Sequence, residues 1–139
     1  MALYIETSAV LSWLFGEPNS SHAIEVINAA SAPLSSTLTI LETHRAILRA
    51  RHAGMINETQ AVRLRTIFHD ALRSWELMQP TEQIQRRAAE AFPVEPVRSL
   101  DALHLATALQ FVELYDSVSV LSFDARIVTN VAALGLAAP

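Results

Sequence analysis

Ala2-Leu3-Tyr4-Ile5-Glu6-Thr7-Ser8-Ala9 is the stretch that decides how the chain is read. Four apolar residues, β-branched and aromatic among them, stop at a carboxylate. Two hydroxyl residues follow, and an apolar pattern of helical spacing begins at Ala9. This is the pattern of a buried strand over 2–6 with a helix start directly behind it. In open parallel α/β sheets, ligands lie just beyond the carboxyl ends of the strands. Glu6 therefore marks the place where chemistry is expected. An acid at the buried end of a strand is costly unless it is paired or metal-bound.

Working outward, a first helix over 8–14 starts at Thr7 or Ser8 and is stopped by Gly16-Glu17-Pro18. It is apolar nearly all round (Val10, Leu11, Trp13, Leu14, Phe15), so it is expected to be buried or covered by a partner. A second helix spans 20–30 and a short strand 33–36. A long helix over 37–53 is closed by Gly54, and Asn57 caps another that runs to about 74. A weak strand at 76–78 is ended by Pro80, and Thr81 caps a helix to 91. Two prolines make 92–98 a loop. Ser99 caps a helix over 100–115, a buried strand covers 117–122, and Asp124 begins a last helix to 134. Residues 136–138 suggest a short edge strand. Alternation of this kind predicts an α/β fold, with a parallel sheet of 4–5 strands and helices on both faces. At 139 residues, with no linker, repeat or low-complexity tract, one domain over 1–139 is expected.

Composition removes several classes of function. Apolar residues make up 51% and charged residues 17%, which argues against disorder. No apolar run is long enough to span a bilayer, and the N-terminus lacks the order of a signal peptide, so a cytoplasmic protein is expected. The absence of cysteine excludes disulfides, thiolate nucleophiles and cysteine-ligated zinc. All ten basic residues are arginine, and without lysine there is no P-loop or Schiff-base chemistry. A net charge of −4 is unlike a nucleic-acid coat protein, yet it permits an enzyme that handles nucleic acid at one acidic, metal-loaded site.

Four acids occupy equivalent places. Glu6 closes the first strand, and Asp124 follows the strand at 117–122. Asp101 lies in the first turn of the helix at 100–115. Glu42 lies one to two turns into the helix after the second strand. Strand ends and the following helix starts share one edge of a parallel sheet, so all four are candidates for one pocket. Two carboxylates at ~4 Å repel by about 4 kcal/mol at an effective dielectric of 20. A divalent cation relieves this, and all-oxygen ligation selects Mg²⁺ or Mn²⁺ over Zn²⁺. Such an ion ionises a water and stabilises charge on phosphate oxygens, which suits phosphodiester hydrolysis. Each acid also has a structural reading. Asp101 and Asp124 would offset a helix dipole, and Glu42 would serve as a solvated helical residue.

At these residues the sequence resembles the PIN-domain family, and within it the VapC-type toxins of toxin–antitoxin pairs. The resemblance is carried by Tyr4-Ile5-Glu6-Thr7-Ser8-Ala9-Val10-Leu11, by Ser35-Ser36-Thr37-Leu38-Thr39-Ile40-Leu41-Glu42, by Leu100-Asp101-Ala102-Leu103-His104-Leu105-Ala106-Thr107-Ala108 and by Ser122-Phe123-Asp124. It implies a PIN-like fold and a Mg²⁺-dependent endoribonuclease, with Mn²⁺ as a substitute ion, acting on tRNA, rRNA or mRNA. It implies that Glu6, Asp101 and Asp124 hold the metal directly or through water and that Glu42 completes the cluster. Ser8 and Ser122 would orient carboxylates and waters. The implied partners are RNA, a cognate antitoxin and a second copy of the chain; no membrane is implied. The family's first acid is usually aspartate, and Glu6 departs from it by one methylene, ~1.5 Å. That departure leaves a second reading, a catalytically weakened RNA- or protein-binding module.

Arg45 and Arg49 follow Glu42 at i+3 and i+7, and Arg98 and Arg126 flank Asp101 and Asp124; all four are candidates for phosphate contact. His104, one turn beyond Asp101, reads as a packed, hydrogen-bonded histidine rather than a base. His22, His44, His52 and His69 show no ligand spacing along the chain. Trp75 reads as core.

Overall fold

A computed structural model describes residues Met1–Pro139. The chain runs β1 (Ala2–Ile5), α1 (Thr7–Phe15), α2 (Ser20–Ala29), β2 (Ala32–Ser36), α3 (Thr37–His52), α4 (Glu58–Leu72), β3 (Glu76–Met78), α5 (Glu82–Ala88), α6 (Ser99–Tyr115), β4 (Ser119–Leu121) and α7 (Ala125–Val131). The four strands form one parallel sheet in the order β3-β2-β1-β4.

That order carries the functional argument. The chain steps outward from β1 to β2 to β3, then returns to place β4 on the other side of β1. The connections out of β1 and β4 thus leave in opposite directions, which opens a crevice at the carboxyl ends of these two strands. Glu6 follows β1, and Ser122 to Asp124 follow β4.

Alternation along β1 feeds two cores. Leu3 and Ile5 point to one face, where Ala9, Val10 and Leu14 of α1, Ala23 of α2 and Phe68 of α4 meet them. Tyr4 points to the other face, against Leu105, Ala108 and Phe111 of α6 and Ile127 and Val131 of α7. Trp75 is buried in the first core. Helix α1 is covered by its own chain on the side of Ala9, Val10 and Leu14, while Trp13 and Phe15 pack at the margin and are half-buried.

Local signals mostly act where expected. Gly16 ends α1 at φ +61, a left-handed conformation that a β-carbon disfavours. Asn57 and Gln60 form a reciprocal capping box on α4, with both bonds 2.8 Å long. Asn57→Ala is expected to cost about 1 kcal/mol, read as a lower urea midpoint; an unchanged midpoint would show that α4 is held by packing alone.

Several boundaries differ from expectation. Strand β1 ends at Ile5, and the cap of α1 is Glu6 rather than Thr7 or Ser8: its carboxylate accepts from the Ser8 amide. Its backbone still reaches β4 through an amide bond of 3.0 Å to the Leu121 carbonyl. Helix α5 stops at Ala88, short of 91. Ser99 is the first residue of α6 and Arg98 holds the cap position without a side-chain bond. Strand β4 is three residues long, and α7 tightens into a 3-10 turn over Ala132–Leu134. The C-terminal edge strand reduces to one bridge, Ser119 to Ala137. Short strands survive here because backbone bonds from adjoining residues extend the pairing, as Val120 and Ala137 show at 2.8 Å. No helix is long and apolar enough to cross a membrane.

Candidate functional site

Glu6, Thr7, Ser8, Leu11, Glu42, Arg98, Ser99, Leu100, Asp101 and Asp124 line one open cleft of about 490 Å³. All four acids named from the sequence are among them. They arrive from the ends of β1 and β4 and from the N-terminal turns of α3 and α6.

Glu6 is the best-held of the four. The Ser8 amide (3.0 Å), the Ser8 hydroxyl and the Ser122 hydroxyl (2.8 Å) all donate to its Oε2. The Ser8 hydroxyl in turn accepts from the Phe123 amide at 2.8 Å, and the Ser122 hydroxyl accepts from the Asp124 amide at 3.1 Å. Two serines 114 residues apart thus stitch the end of β1 to the end of β4. Three donors converge on one carboxylate oxygen, which leaves Oε1 without a hydrogen bond. Asp124 caps α7 by accepting from the Arg126 amide at 2.9 Å.

Asp101 is different. It is buried, and its Oδ2 has no hydrogen-bond partner. Arg98 Nε lies 3.6 Å away, close enough for charge attraction but too far for a hydrogen bond. Burial raises the Asp101 pKa above its ordinary 3.8, and the negative charge of Asp124 adds to this; Arg98 and Arg126 offset only part of it. A buried carboxylate oxygen without a hydrogen-bond donor, repelled by a second carboxylate, is an electrostatic deficit that Arg98 offsets in part and a further cation corrects.

Glu42 belongs to a second network. Its Oε1 accepts from the Thr7 hydroxyl at 2.7 Å and from His104 Nε2 at 2.6 Å. On the far side of the ring, His104 Nδ1 meets the Tyr4 hydroxyl at 2.7 Å. A carboxylate only accepts, so Nε2 carries the proton toward Glu42. Burial alone would raise the Glu42 pKa, but the His104 hydrogen bond and charge, with Thr7 and Arg49, outweigh it and the net shift is downward. Burial, followed by the charges of Glu6 and Glu42, drives the Tyr4 pKa well above 10.0, so its hydroxyl stays protonated. His104 is packed and hydrogen-bonded, as its sequence context predicts.

The arginines separate. Arg98 lines the cleft. Arg126 carries charge toward Asp101, and Arg49 toward Glu42. Arg45 is exposed and lies outside the cleft lining.

No group of three histidine, aspartate or glutamate side chains is tight enough to enclose an ion unaided. A site of one or two carboxylates completed by water matches the way Mg²⁺ is ordinarily held. The unpartnered Asp101 oxygen and the all-oxygen donor set fit such an ion.

The sequence profile of the PIN domain matches residues 3–134. The chain belongs to the PIN domain family. Among solved structures it resembles VapC20 of Mycobacterium tuberculosis, described as a toxin that cleaves the sarcin-ricin loop, with a TM-score of 0.67 at 16% identity. That likeness covers 92% of this chain and 94% of the other, and at such identity it concerns the fold. No curated protein matches the chain. The parallel sheet and flanking helices are those of a PIN domain, as expected from the sequence.

Sequence reading of this PIN domain missed Thr7 and Tyr4 as parts of the site. Thr7 was expected only as a cap, and Tyr4 only as a core strand residue. The available signal was that a tyrosine buried in a strand needs a partner for its hydroxyl, and that His104 lies one helical turn beyond Asp101.

Proposed function

We propose that this PIN domain is a divalent-metal-dependent endoribonuclease and the toxin of a toxin–antitoxin pair. One observation carries the reading: Asp101, a buried acid with an oxygen lacking any hydrogen bond, feels the charge of Asp124 in a cleft that also holds Glu6 and Glu42. In this reading Glu6, Asp101 and Asp124 hold Mg²⁺ or Mn²⁺ directly or through water, and Glu42 completes the cluster. The ion supplies Lewis acidity and charge neutralisation for phosphodiester hydrolysis.

The residues of the chain do the rest. Ser8 and Ser122 fix Glu6 through Oε2, which leaves Oε1 free of hydrogen bonds. Thr7 and His104 fix Glu42. Arg98 is placed to meet an RNA phosphate at the cleft wall, with Arg126, Arg49 and Arg45 as outer contacts. RNA and a cognate antitoxin are the proposed partners, a homodimer the proposed assembly, and 1–139 the proposed extent of the domain. The cytoplasm is the proposed site of action.

The test is cleavage of total RNA with Mg²⁺, with Mn²⁺ and with EDTA, followed by mapping of the cut ends. Discrete cuts that need the ion and vanish with EDTA support the proposal. Intact RNA in both ions overturns it.

The weakened-module reading rests on Glu6 standing where the family usually has aspartate. The hydrogen bonds favour glutamate as native to the site, because its length lets one oxygen reach both Ser8 and Ser122. Glu6→Asp retracts the carboxylate by ~1.5 Å and gives up Ser122. Cleavage is expected to fall by about 10-fold or more. A large gain in cleavage would instead favour the weakened module.

A further inference from the structure

Away from the acidic cleft, α3 and α4 bring together two histidines that the chain holds 25 residues apart. His44 Nε2 and His69 Nε2 are 3.0 Å from each other. We infer that this pair is a second cation site of the molecule, an interhelical clamp for a nitrogen-seeking divalent ion such as Cu²⁺ or Ni²⁺.

Spacing along the sequence does not reveal the pair, because the two rings lie on different helices. Their preorganisation comes from Phe68, which is fully buried and packs edge-on against both rings, with centroids 6.2 Å from His44 and 5.9 Å from His69. The rings are nearly perpendicular and point their Nε2 atoms toward one another. Without a cation, one Nε2–H donates to the other Nε2. A cation needs both lone pairs, so the donating ring must move its proton to Nδ1; two neutral rings bind it with no net loss of a proton. With metal–nitrogen bonds of about 2.05 Å, each ring must then turn by roughly 43° off the line between the nitrogens for its lone pair to meet the ion.

With metal–nitrogen bonds of about 2.05 Å, a 3.0 Å separation corresponds to an angle of about 94° at the metal. A tetrahedral site needs roughly 3.3 Å between the nitrogens. The turn of the rings spans that difference, so the ions are ranked by affinity for nitrogen, in which Cu²⁺ stands above Ni²⁺ and Zn²⁺. No carboxylate contacts either ring, and the charge of Arg65 bears on His44 and opposes any cation. Hard, oxygen-seeking Mg²⁺ therefore has no reason to bind here, and the clamp is chemically separate from the acidic cleft. His69 is exposed, so the remaining coordination positions open to water.

The experiment is calorimetric titration of the intact protein with Cu²⁺ in a non-chelating buffer containing excess Mg²⁺, with electron paramagnetic resonance at one Cu²⁺ per chain. The wild type and Asp101→Asn are expected to bind one Cu²⁺ with equal affinity and a two-imidazole spectrum. His69→Ala, at an exposed position, and His44→Ala are expected to weaken binding at least 10-fold and leave at most one imidazole. Ni²⁺ and Zn²⁺ are expected to follow Cu²⁺ in that order. Should His44→Ala fail to fold, His69→Ala decides. Unchanged Cu²⁺ affinity in His69→Ala, or loss of binding in Asp101→Asn, would overturn the clamp.

Discussion

Asp101→Asn is expected to lower RNA cleavage by about 100-fold or more while leaving the metal-free protein at least as stable as the wild type. The two effects share one cause. The Asp101 carboxylate is buried, its Oδ2 is without a donor, and Asp124 repels it. Its folded pKa is therefore above the unfolded one, so ionisation costs the native state more than the unfolded state. The cost is present at pH above the folded value and is relieved as pH falls through it. Without the charge, the variant escapes this cost. Its urea midpoint should equal or exceed that of the wild type at neutral pH, and its advantage should shrink on acidification toward the ordinary carboxylate range near 3.8. Mg²⁺ should reverse the ranking. An ion that binds only the folded state stabilises by about 2.7 kcal/mol at a hundredfold excess over its Kd. The wild type should gain this, and Asp101→Asn should gain little. Full cleavage by the variant in Mg²⁺-replete buffer would refute a role for Asp101 in the reaction. A marked loss of metal-free stability would refute the account of its electrostatics.

His104→Leu is expected to destabilise the fold by about 1–3 kcal/mol, because it strips a half-buried carboxylate and a buried hydroxyl of their shared partner. Glu42 would keep Thr7, but Tyr4 has its closest partner in the imidazole. Tyr4→Phe removes only one end of the chain of bonds and should cost about 1–3 kcal/mol. The double variant should cost less than the sum, since both changes delete the same hydrogen bond. Urea unfolding of the four proteins measures this, and additivity within about 0.5 kcal/mol would show that the three side chains are not coupled. The pH dependence follows from Glu42, whose folded pKa is lowered. Its contribution is present above the ordinary value of 4.5 and is lost as pH falls through the folded value. The His104 variant should lose part of that dependence.

The acids were legible in the sequence because each sits at a place defined by local pattern: after an apolar run, or within a helix turn of one. The PIN sheet was legible because strands and helices alternate cleanly, and β1, α1 and α4 carry strong stop and start signals. What connects these parts was not legible. That Ser8 and Ser122 share one oxygen of Glu6 depends on β4 docking beside β1, which no local pattern specifies. The same holds for His104, whose ring reaches Tyr4 and Glu42 only because α6 lies across the face that Tyr4 occupies. His44 and His69 meet for a similar reason, since the register of α3 against α4 is set by packing around Phe68. The cap of α1 was misplaced because glutamate is an uncommon cap, and its side chain had to be seen folding back on the Ser8 amide. Strand β4 was shorter than expected at both ends, and at its carboxyl end Ser122 donates to the Glu6 carboxylate.

The adjacency of β1 and β4 has a temporal side. The first strand leaves the ribosome well before its neighbour β4 is made. Until β4 is translated and docked, Glu6 lacks the Ser122 hydroxyl, and Asp124 does not yet exist. Whatever the acidic cleft does to its substrate, a chain that stops before β4 is unable to do it.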